Sequence, residues 1–124
     1  VTPFGRKMRE LRARKGVRLT EMADAIGVSA AYLSALEHGR RGSPSAARLH
    51  QICGYFNIIW DEAEELAALA RLSNPRVVVD TAGLSPEATR LANELAHRIR
   101  ELPDEQVRVL LNELTGAAGA DVRE

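Results

Sequence analysis

The sequence predicts an all-α chain: five short helices followed by a longer helical hairpin. Apolar residues recur every three or four positions through nearly all of the 124 residues, the spacing of one helix face. Cap and break residues cut that pattern into helix-sized pieces, with Gly16, Gly27, Ser29, Ser45 and Ser85-Pro86 standing at its interruptions. Only Arg76-Val77-Val78-Val79-Asp80-Thr81 has a β-like composition, and one isolated strand is not stable.

The first helix runs from about Thr2 or Pro3 to Arg14, with Phe4, Met8 and Leu11 as its buried stripe. Gly16 then suits a left-handed C-terminal position. Met22, Ala23 and Ile26 form the apolar face of a second short helix, which Gly27 ends. Ser29 restarts the pattern as the N-cap of a third helix, Ser29–His38, with Leu33 and Leu36 as its inward edge. Two short helices about a tight turn form a helix-turn-helix, whose second helix enters the DNA major groove. At about 100° per residue, Ala31, Ser34, Ala35 and His38 point away from that inward edge, and Ala30 lies nearer to it. Glu37 falls beside Leu33, and Arg12 borders the stripe of the first helix, so the two are predicted to pair.

Gly39-Arg40-Arg41-Gly42-Ser43-Pro44 is a basic loop, and Arg40 and Arg41 are read as phosphate clamps. Ser45 to Phe56 resumes a helix with Leu49, Ile52, Cys53 and Phe56 inward. A fifth helix follows Trp60, where Asp61 and Glu64 have capping-box spacing and Ala63, Leu66, Ala67 and Ala70 are apolar. Trp60, beside Ile58-Ile59, reads as core or interface.

Residues 73–83 read as an extended linker, or as an edge that pairs with the same segment of a second copy. Ser85-Pro86-Glu87 opens the hairpin. Its apolar positions are Leu84, Ala88, Leu91, Leu95, Ile99 and Leu102, then Val107, Leu110, Leu111 and Leu114 after Pro103. Two helices with one stripe each have little core of their own. Leu91, Leu95, Ile99, Leu102, Leu110 and Leu114 are therefore assigned to dimerisation, an intramolecular lid being the alternative. The resulting division is 1–72 for the five-helix domain, 73–83 for the linker, 84–115 for the hairpin and 116–124 for a frayed tail.

The formal net charge is zero, yet residues 1–56 hold ten Lys/Arg against four Asp/Glu, a net +6, balanced by −6 in the remainder. A basic half carrying a helix-turn-helix fits a polyanionic partner. Cys53 is the only cysteine, so no intrachain disulfide forms, and a reduced, cytoplasmic protein is expected. No apolar run approaches the ~20 residues of a membrane span. His50 and His97 lack partners at metal-ligand spacing, and no phosphate loop or nucleophile motif is present. The expectation is a non-enzyme with no metal, cofactor, membrane association or small-molecule effector.

The first 72 residues resemble the Xre/Cro-type helix-turn-helix family of bacterial and phage regulators. The resemblance lies in Phe4-Gly5, Met8-Arg9, Leu11-Arg12, Gly16 and Met22-Ala23, and in Ile26-Gly27-Val28-Ser29. It continues through Tyr32-Leu33-Ser34-Ala35-Leu36-Glu37-His38-Gly39 and the Arg-rich loop to Pro44. It implies a lambda-repressor-like fold, an Arg–Glu bridge at Arg12 and Glu37, and base-reading positions at Ala30, Ala31 and Ala35. The family usually opens its second helix with Thr-Gln, where this chain has Arg18 and Leu19; Arg18 can still bind a phosphate. Alanine offers bases only a methyl contact, so specificity is expected to lean on Ser34, His38, Arg40, Arg41 and DNA shape.

The expected DNA-contact set is Arg18, Ser29, Ala30, Ala31, Ser34, Ala35, His38, Arg40 and Arg41, with basic residues of the first helix holding the backbone. The function implied is a sequence-specific transcriptional regulator, a repressor acting on double-stranded DNA as a homodimer at a two-fold operator. The alternative is an antitoxin-like or adaptor protein whose acidic half from Trp60 onward binds another protein.

Overall fold

The computed structural model describes the backbone of residues 1–123 and the side chains of residues 1–116. It is helical, with no strand among the described residues. The helices are α1 (Pro3–Lys15), α2 (Leu19–Ile26), α3 (Ala30–Glu37), α4 (Ala46–Phe56), α5 (Trp60–Arg71), α6 (Pro86–Arg98) and α7 (Asp104–Arg123), with a 3₁₀ turn at Ile99–Glu101. They form two compact units, Val1–Val77 and Val78–Glu124.

In the first unit the caps fall where local chemistry places them. Thr2 Oγ1 accepts from the Gly5 N–H, Ser29 Oγ from that of Tyr32, and Ser45 Oγ from that of Arg48. Gly27 takes the left-handed conformation, φ 75°, that lets the chain turn from α2 into α3. One core joins all five helices: Phe4, Met8 and Leu11 meet Met22, Ala23, Ile26, Leu33, Leu36, Ile52, Leu66 and Ala70. Burial of this set supplies the drive that helices of eight to thirteen residues lack in isolation.

Several boundaries differ from the sequence reading. The helix α5 begins at Trp60 itself, after Ile59, and the Asp61–Glu64 spacing forms no side-chain cap. Trp60 has φ 55° and is 80% exposed, so it is not core; it stands at the rim of an apolar hollow of about 470 Å³ with Leu49, Cys53 and Ile59. Ser73–Val77 belongs to the five-helix unit rather than to a linker. Ser73 is buried there because its hydroxyl accepts the Phe4 N–H at 2.9 Å, satisfying a donor at the start of α1. The β-like valines 77–79 are exposed and unpaired by any strand.

In the second unit Ser85 caps α6 and Pro86 occupies its first turn, as the Ser-Pro-Glu signal requires. The helix tightens at Ile99–Glu101 instead of continuing to Leu102, because Pro103 lies two residues beyond. The helix α7 runs to Arg123, past the Thr115 limit read from sequence. None of the described residues of this unit is buried. Leu95, Ile99, Leu102, Leu110 and Leu114 nonetheless line one apolar hollow with Val107 and Leu111, whereas Leu91 lies outside it and is 68% exposed.

Candidate nucleic-acid interface

The helix α3 is held from beneath by its inward edge. Leu33, Leu36 and Glu37 are buried, so rotation about the helix axis is fixed. Glu37 accepts from Arg12 through both guanidinium ends and from Arg9 Nε at 3.2 Å, which joins α3 to α1. The predicted pair thus forms, with Arg9 as a second arginine that the sequence reading missed. Arg9 stands three residues before Arg12 on the same helix face, the signal that could have found it. The Glu37 carbonyl also accepts from the backbone N–H and the hydroxyl of Thr2, both at 3.1 Å.

With that edge fixed, the outward surface follows. Ser29, Ala31 and His38 are exposed, while Ala30, Ser34 and Ala35 are half-buried. His38 Nδ1 bonds the Ser34 carbonyl at 2.8 Å, which turns the other ring nitrogen outward. The face therefore offers methyl groups, two hydroxyls and one imidazole. Alanines of this size let α3 approach a groove floor closely but read little more than a thymine methyl.

Charge is supplied by the loop after α3. Gly39 and Arg40 fold back on the helix end, their N–H groups donating to Leu36 and Ala35 carbonyls. Arg40 and Arg41 are both exposed. Arg41 lies over the Tyr32 ring at 5.6 Å, and Arg48 of α4 lies over the same ring at 5.3 Å. Arg48 in turn donates to Gln51, whose amide donates to the Ile26 carbonyl at the end of α2. Tyr32, Arg48 and Gln51 form a brace for Arg41 that sequence spacing alone did not disclose.

Several basic residues elsewhere are engaged. Arg18 precedes α2, and its Nε and backbone N–H both donate to Glu21, whose carboxyl is held below its usual range chiefly by that side-chain bond. On α1, Lys7 pairs with Glu62 and Glu65 of α5, and Arg14 donates to both Glu62 oxygens. Arg14 holds the Glu62 carboxyl low and has its own pKa raised in return. Of the helix-one cations expected to hold a DNA backbone, Lys7 and Arg14 thus have partners on α5, and Arg9 and Arg12 pair with Glu37 of α3. Lys15 donates to the Tyr55 carbonyl of α4, and Arg6 has no ion pair among the described residues. The acidic face of α5 consequently belongs to the basic unit, which retains twelve Lys/Arg against eight Asp/Glu, a net +4. Cys53 is half-buried and its thiol is pushed up by burial, which disfavours the reactive thiolate.

The sequence that builds this arrangement of five helices matches a known family. A family profile described as a helix-turn-helix domain matches residues 3–69, just over half of the chain. The chain belongs to the helix-turn-helix domain family. It is also similar to RghRB of Bacillus subtilis (strain 168), named as an uncharacterized HTH-type transcriptional regulator, at 30% identity over 61 residues. That similarity spans 49% of this chain and 44% of the relative's length. No solved structure matches the chain. Among the described residues, no helix is long and apolar enough to cross a membrane.

Proposed function

We propose that this helix-turn-helix protein is a DNA-binding transcription regulator that acts as a homodimer on a two-fold site. The observation that carries the reading is the joint presentation of α3 and its loop. A capped helix with a small outward face is fixed on its inner edge, and two exposed arginines follow it directly. Such a helix fits a major groove, with the loop arginines on the flanking phosphates. The relative's name as a transcriptional regulator points the same way. A dimer bound over a promoter excludes other proteins from the same DNA, so the output we propose is repression.

The test is binding to duplex DNA from the protein's own upstream region, by footprinting and by anisotropy at several salt concentrations. Arg40→Ala with Arg41→Ala should weaken binding to every duplex by about tenfold or more. The slope of log K against log salt should fall by about two per protomer. An unchanged slope would remove both residues from the interface.

The homodimer rests on the second unit. Its leucines are 40–69% exposed at Leu91, Leu95, Leu110 and Leu114, too much apolar surface for a helix pair in water. A second copy of the same hairpin would cover them, since a self-complementary apolar face favours two-fold pairing. Leu95→Asp, placed in the apolar hollow, should shift sedimentation from dimer toward monomer. A dimer that persists in this variant would exclude the hairpin as its interface.

A further inference from the structure

We propose that Arg40 and Arg76 together hold one phosphate of the DNA backbone, so that the interface extends past the helix-turn-helix to the segment after α5. This rests on the DNA-binding reading above. A hollow of about 440 Å³ opens between the α3–α4 loop and residues 74–76, lined by Gly39, Arg40, Gly42, Asn74, Pro75 and Arg76. No carboxylate lines it, and neither arginine joins an ion pair among the described residues.

Both walls are fixed. Pro75 stacks against Gly39 closely enough that a Cβ there would lie 3.3 Å from Pro75 Cδ and 2.8 Å from Thr2 Cγ2. Gly39 also has φ 78°, so glycine is needed at this position on two counts. Asn74 Oδ1 accepts from the Arg76 N–H at 3.1 Å, shaping the turn that presents Arg76. Ser43 Oγ donates to the Ala70 carbonyl at 3.0 Å and ties the loop to the end of α5. Two arginines thus line one hollow on backbones locked to each other, which limits the ordering cost of closing both side chains on an anion. Arg40 follows the groove helix directly, so a backbone phosphate that reaches Arg40 also comes within the hollow that Arg76 lines.

A phosphodiester of DNA and a free phosphate ion share this chemistry, and the measurement separates them. The 124-residue chain is titrated against a labelled mixed-sequence duplex over a salt series, with Arg90→Ala in the second unit as control. Arg76→Ala should weaken binding by about three- to tenfold for all sequences and lower the salt slope by about one, with the melting temperature unchanged. Arg76→Lys should recover part of both.

If Arg76→Ala binds like the original chain while Arg40→Ala loses affinity and slope, the shared clamp is wrong and the DNA reading stands. If the unaltered chain shows no salt-dependent DNA affinity, both fall. Calorimetric titration with inorganic phosphate at matched ionic strength gives the remaining arm. Saturable binding that Arg76→Ala abolishes, with DNA affinity untouched, would make the hollow a free-anion site and overturn the assignment to DNA.

Discussion

Gly5→Ala will unfold the five-helix unit or bring it close to unfolding. Taken alone, alanine in place of glycine within a helix is favourable by about 1 kcal/mol. Here the sign reverses because the first turn of α1 lies directly on the last residue of α3. A Cβ on Gly5 would overlap the Glu37 carbonyl oxygen and come within 2.9 Å of its Cα. Those are backbone atoms, and the same carbonyl accepts two bonds from Thr2, so it cannot turn aside as a side chain would. The remaining route is to move α1 off α3, which opens the packing of Phe4 and Met8 against the core. Overpacking of this kind costs about 3 kcal/mol or more when the neighbour is rigid. Urea unfolding followed by circular dichroism reads the effect as a lower midpoint. A variant as stable as the original, or more stable, would show that the two helices separate at no cost.

Gly5 also illustrates what was legible in the sequence and what was not. The stripe Phe4, Met8, Leu11 fixes which face of α1 is buried, and the family resemblance includes the Phe4-Gly5 pair. Neither discloses that the residue between stripe positions meets the backbone of a residue 32 positions further on. Helix number and inward faces were legible because a 3.6-residue period and local caps are written in consecutive residues: Ser29, Ser45 and Ser85 each cap the helix they announce. The Arg12–Glu37 bridge was legible because each residue sits at the border of an apolar stripe.

The Lys7 and Arg14 pairs with α5 were not legible, since both partners look solvated when either helix is read alone. For the same reason, counting charge along the chain separates a basic from an acidic half and does not disclose that Glu62 and Glu65 pair with α1 inside one unit. The start of α5 was misplaced because Trp60 enters its helix at positive φ, which carries no propensity signal. Residues 73–77 read as linker because Asn74-Pro75 is a turn signal wherever it occurs, and only tertiary contacts decide whether a turn is packed. Nothing in the spacing of that segment discloses that Arg76 lines a hollow with Arg40.

The other large effect is expected at Glu37. Its side chain is 1% exposed, and the Arg12 side chain that faces it is only 12% exposed. Glu37→Ala removes the anion and leaves the Arg12 charge desolvated with nothing to neutralise it, a loss of about 3–5 kcal/mol. Arg9→Ala should cost far less, because Arg9 is 52% exposed and water replaces its bond. The asymmetry between the two arginines is a sharper test than the loss itself.

A further comparison separates the charge from the space it fills. Arg12→Met with Glu37→Leu deletes both charges and keeps apolar volume, so this double variant should regain most of the stability that Glu37→Ala loses. All four proteins are compared by denaturant midpoint at neutral pH. If Glu37→Ala and Arg9→Ala fall equally, the bridge is a surface network rather than a buried pair. If the double variant is as unstable as Glu37→Ala, the loss comes from the geometry of the α1–α3 contact and not from a stranded charge. Either result would bear on the proposed recognition, because Glu37 is the last residue of α3 and joins the helix proposed to enter the groove to the scaffold behind it.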